Sequence, residues 1–240
     1  MKILDDLISV LNVEAELKDI RQGVFHTAVL TRNCGLAATL PKDVIRQETP
    51  WVAEPGFLLN KSISELIKMA YSDKILEAAI GMATINSMIK VDEARCEELN
   101  AGDLIAEKGA GKRVTIIGHF PFIPKLREIA NTVWVVEKNP QEGDYAESSA
   151  EEYIPQSDVV GITGTAFTNH SIEGLLEMCR PQTYVVMLGD TTPLAPLLFD
   201  YGVNAISGTK VVDSEMVLNC VSQGATYRQI KGIRKLTLKK

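Results

Sequence analysis

One stretch of the chain, residues 158–176, constrains the fold most strongly. It opens as an apolar run introduced by Asp158, breaks into small glycine and threonine residues, and re-enters as a helix at Ser171. A strand, a Gly/Thr turn and a helix start are typical of a βα unit at the ligand-binding edge of a parallel sheet. Free backbone N–H groups at such a helix start favour anions or polar ligand atoms. The stretch therefore predicts both an α/β fold and a binding site.

The chain beyond residue 112 repeats this alternation of strand and helix. The predicted strands are the Val- and Ile-rich runs 114–118, 133–136, 159–162, 184–188 and 205–207, and the predicted helices lie around 124–130, 169–179, 193–201 and 213–223. Continuous Val and Ile runs are typical of strands that are covered on both faces. We therefore expect a doubly wound parallel sheet in the C-terminal part of the chain.

The first 90 residues follow a different pattern, that of an α+β unit. The predicted elements are an amphipathic helix over 2–12, strand-like runs at 16–20, 24–31 and 36–40, and helices that begin at Ser62 and Ser72. Short strand runs separated by glycine turns predict a three-stranded antiparallel meander. Ser62 and Glu65 have the spacing of a capping box, in which both side chains satisfy free N–H groups at a helix start.

A charged, glycine-containing segment separates the two patterns. Residues 92–112 end in Gly-Ala-Gly-Lys and are the best candidate for a linker. Glycine-rich, polar stretches between periodic segments are typical of domain boundaries. The predicted organisation is therefore an α+β domain over 1–100 and a parallel-sheet domain over 101–240.

Charge and hydropathy exclude several classes of partner. The formal net charge of the 240 residues is −6, from 25 basic and 31 acidic side chains, so nucleic acid is not expected as a partner. The Lys-rich end, residues 234–240, is interpreted as a solvated edge. No apolar run approaches the roughly 20 residues that span a bilayer, and the N-terminus lacks a signal-peptide core. We expect a cytoplasmic protein without membrane contact, whose four widely spaced cysteines are reduced.

The strand order decides where a ligand would bind. In a doubly wound sheet, ligands lie beyond the carboxyl ends of the strands, near the point where the strand order reverses. If the order is 3-2-1-4-5, the crevice lies between the first and fourth strands, beside residues 118–121 and 189–193. Thr163, Gly164 and Thr165 would then lie about two strand spacings, roughly 10 Å, from the first strand.

Two residues at predicted strand ends are the catalytic candidates. Glu137 ends the second strand, 19 positions after Gly118, and dinucleotide-binding folds carry an acidic residue that holds ribose hydroxyls about 20 residues past the glycine loop. The alternative is a solvated carboxylate at a strand end. His119 is the acid/base candidate, because an imidazole side chain titrates near neutrality; the alternative is a histidine that caps a turn.

The remaining polar candidates have competing structural roles. Asn169 is a helix cap or a ligand contact, and it is favoured over His170 beside it. Asp190 or Thr191 caps the helix that begins at Pro193 or contacts the ligand. Thr163 and Thr165 are ordinary turn residues unless their position at a strand end makes them ligand contacts. His26 lies in a meander strand and is expected to be structural.

Several signatures are absent from the sequence. No G-x-G-x-x-G follows the first strand, and there is no P-loop, no G-x-S-x-G elbow and no H-E-x-x-H. These absences argue against ordinary NAD binding and against most methyltransferase loops. Three scattered histidines and four scattered cysteines make a tight protein metal site unexpected. The residues alone identify no cofactor.

Short motifs over nearly the whole chain carry a family resemblance. They are the runs 24–29, 35–39 and 76–86 in the N-terminal part, and 118–120, 136–137, 162–165 with Asn169, and 188–194 in the C-terminal part. With these motifs the chain resembles the family of unknown function described as "putative heavy-metal chelation". Its members join an enolase N-terminal-like domain to a Rossmann-like domain. The family often has proline where this chain has Asp190.

The resemblance implies a site at the carboxyl edge of the sheet, closed by the enolase-like domain. It also implies similarity to methyltransferase-type Rossmann domains and work on a metal-chelating small molecule, as condensation or hydrolysis in pterin, flavin or siderophore-like chemistry. Asn86, a polar residue in an otherwise apolar helix, is the candidate contribution from the N-terminal domain. Its alternative role is a core amide bonded to a neighbouring loop.

Three functions remain open at this point. The first is an enzyme on a heterocyclic or chelator-type metabolite, in which His119 moves a proton and Glu137 holds a diol or ring nitrogen. Thr163, Thr165 and Asn169 would bind polar edges or an anionic group. The second is a non-catalytic binding protein for a metal–chelator complex. The third is a nucleotide or S-adenosylmethionine enzyme with a divergent loop. The enolase-like domain would form a lid or the dimer surface of a homo-oligomer.

Overall fold

Two sheets organise the described part of the chain, residues 1–39 and 52–240 of a computed structural model. The helices are α1 Lys2–Ser9, α2 Ile63–Lys68, α3 Ile75–Met88, α4 Ala101–Gly109, α5 Ile123–Ile129, α6 Ala150–Tyr153, α7 Thr165–Thr168, α8 Ile172–Glu177 and α9 Ser214–Ser222. The strands are β1 Asp19–Gln22, β2 His26–Leu30, β3 Cys34–Ala38, β4 Cys96–Glu97, β5 Arg113–Ile117, β6 Thr132–Glu137, β7 Tyr145–Ala146, β8 Val159–Thr163, β9 Tyr184–Leu188, β10 Ala205–Val211 and β11 Ile233–Lys239.

The large sheet has the order β4-β11-β10-β9-β8-β5-β6-β7. Its strands from β10 to β7 are parallel, and β11 and β4 add an antiparallel edge. The central strands are buried, with Val159, Val160 and Ile162 fully excluded from solvent. Continuous apolar runs form such strands because both faces are covered. The expected α/β fold with a doubly wound parallel sheet is confirmed.

The strand order assumed for locating the crevice was wrong. Numbered as the five predicted strands, the order is 2-1-3-4-5, because β8 pairs directly with β5. Ile117 is paired with Ile162, so Thr163 follows a strand adjacent to that of Gly118 and not one two spacings away. An apolar run predicts a buried strand but carries no information on which neighbour it pairs with. The strand order reverses between β5 and β8.

The N-terminal residues form the expected meander and helices. Strands β1, β2 and β3 are antiparallel neighbours, and Leu40, at the end of the third predicted strand, lies outside the described residues. The capping box is present: the Ser62 hydroxyl accepts from the Glu65 N–H at 3.3 Å, and the Ser62 N–H donates to the Glu65 carboxylate at 2.8 Å. Ser72 does not cap α3, since its hydroxyl donates to Glu77.

Two segments differ from their predicted roles. Residues 92–112, expected as a linker, contain β4 and α4, and α4 buries Leu104 and Ile105 against the sheet. The Lys-rich end, expected as a solvated edge, forms β11 between β10 and β4 and buries Leu236 and Leu238. Thr237 between the two leucines is also buried, and the exposed lysines, Lys235 and Lys239, lie on either side of this buried stretch. The domain boundary at residue 100 stays a prediction.

Within residues 1–39 and 52–240, no helix has the length and apolar character needed to cross a bilayer.

Asp158 lies just before β8 and forms an ion pair with Arg113, the first residue of the neighbouring strand β5. Its carboxylate accepts from the Arg113 backbone N–H at 3.1 Å and from the Arg113 and Arg180 guanidiniums. The Arg113 guanidinium and N–H hold the pKa of Asp158 below its usual range. A carboxylate whose pKa is lower in the folded state stabilises the fold at pH values above its unfolded-state pKa. This stabilisation is lost as the pH falls through the folded-state pKa.

We expect Asp158→Asn to lower the free energy of unfolding by about 1 kcal/mol near neutral pH, because the pair is half-exposed. The difference from wild type should shrink towards about pH 3. Urea denaturation at the two pH values measures both effects. Asp103→Asn is the control, since Asp103 is exposed and its one ion pair among the described residues is with the exposed Lys125. An equal loss at both pH values would contradict the electrostatic role of Asp158.

Candidate functional site

A cavity of about 590 Å³ lies at the carboxyl ends of β5, β6 and β8. This is the place where the strand order reverses, which is where ligands bind in doubly wound sheets. Five of the predicted site residues line it, namely His119, Glu137, Thr163, Thr165 and Asn169. They come from three different strand ends and are brought together by the parallel pairing.

His119 follows β5 and is held by a buried carboxylate. Its Nδ1 lies 2.8 Å from Oδ2 of Asp144, whose side chain is 0% exposed, whereas the His119 side chain is 34% exposed. In the tautomer that carries its proton on Nδ1, His119 donates this hydrogen bond to the carboxylate and keeps Nε2 as the acceptor nitrogen. Nε2 has no hydrogen-bond partner among the described residues, so it is available to a ligand in the cavity.

Asp144 was not identified from the sequence. It lies just before the short strand β7, in a turn where its Oδ2 also accepts from the Gln141 N–H at 3.2 Å. Gly143 has a φ of +85°, a value that suits glycine, and it lets the turn bring Asp144 back towards His119. An acidic residue beside a turn glycine after the second strand was the available signal, but such turns are common on solvated surfaces.

Glu137 ends β6 with its carboxylate fixed by backbone donors. Oε2 accepts from the His119 N–H at 3.0 Å, and Oε1 accepts from the Lys138 N–H at 2.7 Å. These bonds set the orientation of a half-buried carboxylate that lines the cavity. They also place His119 and Glu137 side by side, so one ligand can touch both.

Thr163 and Thr165 form the third side of the site. Their hydroxyl oxygens lie 2.9 Å apart. Gly164 between them does not line the cavity; a Cβ there would lie 2.4 Å from the backbone nitrogen of Thr192. The glycine is needed because the turn packs against the loop after β9, and this packing holds the two threonine hydroxyls at the cavity.

Asn169 and His170 connect this edge to neighbouring elements. Oδ1 of Asn169 accepts from the Ser171 N–H at 3.1 Å and from the Ser171 hydroxyl at 2.6 Å, just before α8. His170 has a φ of +61° and donates from Nε2 to the Ala70 carbonyl at 2.8 Å. Asp73, at the start of the segment leading into α3, also lines the cavity. The N-terminal residues therefore form part of its wall.

Three predicted ligand contacts, Asp190, Thr191 and Asn86, do not line this cavity. Oδ2 of Asp190 pairs with Nε2 of the buried His26 at 2.6 Å. The Thr191 carbonyl accepts from the Asn86 amide at 3.1 Å. Asp190 and Thr191 are separated from the cavity because β9 lies beyond β8, not beside β5. The Asn86 amide also donates to the Leu36 carbonyl, a bond of the kind expected for its alternative role as a core amide; its role as a ligand contact stays a prediction.

No group of three or more His, Cys, Asp or Glu side chains in residues 1–39 and 52–240 is arranged to hold a metal ion. The cysteines of the chain are unpaired thiols. Burial raises the pKa of the Cys34 thiol to about 12 and that of Cys179 to about 11. Both thiols therefore remain protonated at neutral pH, and a protonated thiol is a poor nucleophile and metal ligand.

We expect Cys34 and Cys179 to resist a thiol-specific disulfide reagent at mildly alkaline pH in the folded protein, because the thiolate is the reactive form. All four thiols should react rapidly after denaturation. Reagent absorbance gives the kinetics, and mass mapping of labelled peptides identifies the sites. Rapid labelling of Cys179 without denaturant would show that its burial is not maintained in solution.

The fold and the cavity define an α/β protein with two sheets and a candidate ligand site at the carboxyl edge of the larger one. Two family models match the chain, over residues 4–89 and 100–240, and both are described as "Putative heavy-metal chelation". The second model alone covers more than half of the chain. The chain therefore belongs to this heavy-metal chelation family, which confirms the resemblance seen in its motifs.

The chain is similar to relatives whose functions are not described. An uncharacterized protein of Methanocaldococcus jannaschii is 24% identical over 184 residues, which cover 74% of this chain and 71% of that protein. A crystal structure of a family member of unknown function from Desulfitobacterium hafniense has a TM-score of 0.86 and 25% identity, and covers 100% of this chain and 98% of that one. A second, from Pyrococcus horikoshii, has a TM-score of 0.84, 24% identity and the same coverages.

Proposed function

We propose that this protein binds a small organic, metal-chelating metabolite in the cavity and acts on it by proton transfer. The observation that carries the proposal is the pair formed by His119 and Asp144 at 2.8 Å, with the carboxylate fully buried and the imidazole in the cavity wall. The family description supplies the chelation context. The relatives described above name neither a ligand nor a reaction.

The pair has the arrangement of a general base and its positioning carboxylate. Asp144 holds the His119 ring in one orientation and keeps the proton on Nδ1. Nε2 then accepts a proton from an acidic group of the ligand, and the imidazolium that forms is stabilised by the buried Asp144 charge. Because the Asp144 side chain is excluded from water, this stabilisation is stronger than between solvated charges.

The rest of the cavity suits an organic molecule better than a bare ion. Phe120, Ile117 and Leu175 supply apolar wall, which fits a flat heterocycle. Thr163 and Thr165 supply hydroxyl groups for polar edges of the ligand. Asn169 uses its Oδ1 on Ser171 and keeps its amide N–H groups as donors. A metal would enter bound to the ligand's own atoms, because the described residues supply no three-ligand group.

The test begins with native mass spectrometry of protein purified gently from its own host. A bound organic mass, with or without metal, supports the proposal and identifies the compound for turnover assays. Conversion of that compound by the wild-type protein supports the proposal that the protein is an enzyme. Tight binding without any product after long incubation would favour the alternative, a non-catalytic binding protein for a metal–chelator complex. A bare metal ion held stoichiometrically would overturn the proposal.

A further inference from the structure

The geometry of Glu137 restricts what its carboxylate can bind. Two short backbone bonds, from His119 to Oε2 and from Lys138 to Oε1, use one acceptor position on each oxygen. An ionised carboxylate has about four acceptor positions and no donor. One position on each oxygen therefore remains for a ligand, with a weak 3.5 Å approach from the Asn139 N–H beside Oε1. Two adjacent O–H groups match two adjacent acceptor oxygens.

The charge of the cavity disfavours phosphates. Three carboxylates line it, those of Asp73, Glu137 and Glu147. Lys138 is also in the wall, but its amine pairs with Glu147 at 3.3 Å. Among the lining residues that the structure describes, no Arg or unpaired Lys is present to bind an anion. Like charges brought together in a binding site oppose association, so a phosphorylated ligand is disfavoured.

The backbone after β5 also lacks a phosphate cradle. Dinucleotide-binding folds place a pyrophosphate on a glycine loop and the following helix start. Here His119, Phe120 and Pro121 follow Gly118 in place of further glycines, and the rings of Phe120 and Phe122 stack at 5.4 Å between centroids. Helix α5 then carries Pro124 in its first turn, and proline has no N–H to offer. The acidic residue of the dinucleotide pattern is present without its phosphate partner.

We propose that the ligand class of this cavity is a phosphate-free vicinal diol on or beside a flat ring, held through both hydroxyls by Glu137. This inference rests on the proposed function, because it names the class of its ligand. Two kinds of molecule share this chemistry, a ribonucleoside and a catechol, and a catechol is itself a metal chelator. In either case the diol lies beside His119, since the His119 N–H and the diol share the Glu137 carboxylate.

The experiment compares matched probes by isothermal titration calorimetry. One arm uses adenosine, 2′-deoxyadenosine and adenosine 5′-monophosphate, and the other uses catechol, phenol and phenyl phosphate. In at least one arm the diol should bind, and loss of one hydroxyl should weaken binding about tenfold or more, since a charged acceptor loses its donor. The phosphate-bearing probe of that arm should bind about tenfold more weakly than the diol.

A variant assigns the discrimination to Glu137. Glu137→Gln should weaken diol binding about tenfold or more and nearly abolish the difference between the diol and its single-hydroxyl partner. Asp103→Asn, a distant exposed carboxylate paired with Lys125, should bind all six probes as wild type does. Thermal unfolding verifies that Glu137→Gln is folded. If the Glu137→Gln variant does not fold, the comparison among probes on the wild-type protein still tests the inference.

Three results would overturn the inference: neither diol binds, neither diol binds more tightly than its single-hydroxyl partner, or the phosphate-bearing probe of an arm in which the diol binds is the tightest ligand of that arm. These outcomes are separable from failure of the proposed function. If native mass spectrometry finds an organic ligand that lacks a diol, the diol inference is wrong and the proposed function is unaffected. If the protein discriminates diols but turns over no ligand, the proposed proton transfer is wrong and the inferred ligand class still holds.

Discussion

Replacing His119 with alanine is expected to lower turnover of the cavity's ligand by about 10²–10⁴-fold, the usual contribution of a positioned general acid or base. Ligand affinity should change much less, because Glu137, Thr163 and Thr165 remain. The loss should therefore fall on kcat and not on KM. Steady-state kinetics on the compound identified from the native protein measure the two parameters. Unchanged turnover in a folded His119→Ala protein would remove the assignment.

Asp144 gives the same prediction a second, independent arm. Asp144→Asn keeps the size of the side chain but removes the charge, so it neither stabilises the imidazolium nor keeps the proton reliably on Nδ1 of His119. We expect a large loss of kcat that is not additive with His119→Ala, because the two residues act as a unit. Asp103→Asn is again the matched control. Additive losses would mean that Asp144 acts on the ligand or the fold without His119.

The elements that were predicted correctly depend on local chemistry. The β8 run from Val159 to Thr163 is apolar because both its faces are covered, and the Ser62–Glu65 capping box closes within one helical turn. Segments 92–112 and 234–240 were misread for the opposite reason. Their strands, β4 and β11, are defined by pairing with each other across more than a hundred residues and, for β11, by pairing with β10. Charged side chains on their outer faces hide that pairing in the sequence.

The candidate site shows the same division. His119, Glu137 and Thr163 could be placed at one edge of the sheet because each lies at or just after the end of an apolar strand, and the carboxyl ends of parallel strands share one edge. Asp190 was placed with them only through an assumed strand order, and the pairing of β5 with β8 moves it away. Asp144 could not be found at all, because its position depends on how the loop after β6 folds back. The end of a strand can be predicted from local sequence, whereas the neighbours of a strand and the path of a loop depend on distant residues.

Gly81→Ala is expected to destabilise the protein by about 3 kcal/mol or more, near or above the upper end for overpacked cores. A Cβ at Gly81 in α3 would lie 2.0 Å from the backbone nitrogen of Ala70 and 2.5 Å from its Cα. Alanine gains about 1 kcal/mol over glycine in a helix, but that gain is smaller than the cost of moving a packed backbone. Urea denaturation gives the free energy of unfolding.

The displaced backbone also holds His170, a residue of the cavity wall. The Ala70 carbonyl accepts the His170 hydrogen bond at 2.8 Å, so moving Ala70 should break that bond and loosen the N-terminal residues over the cavity. Ligand affinity should fall together with stability. Gly174→Ala is the control, because Gly174 lies in α8 with no atom within 4 Å of the added Cβ, and there the helix gain alone should remain. Equal unfolding midpoints for the two variants would show that α3 does not directly contact residues 69–71. The orientation of His170 would then not depend on the hydrogen bond to the Ala70 carbonyl.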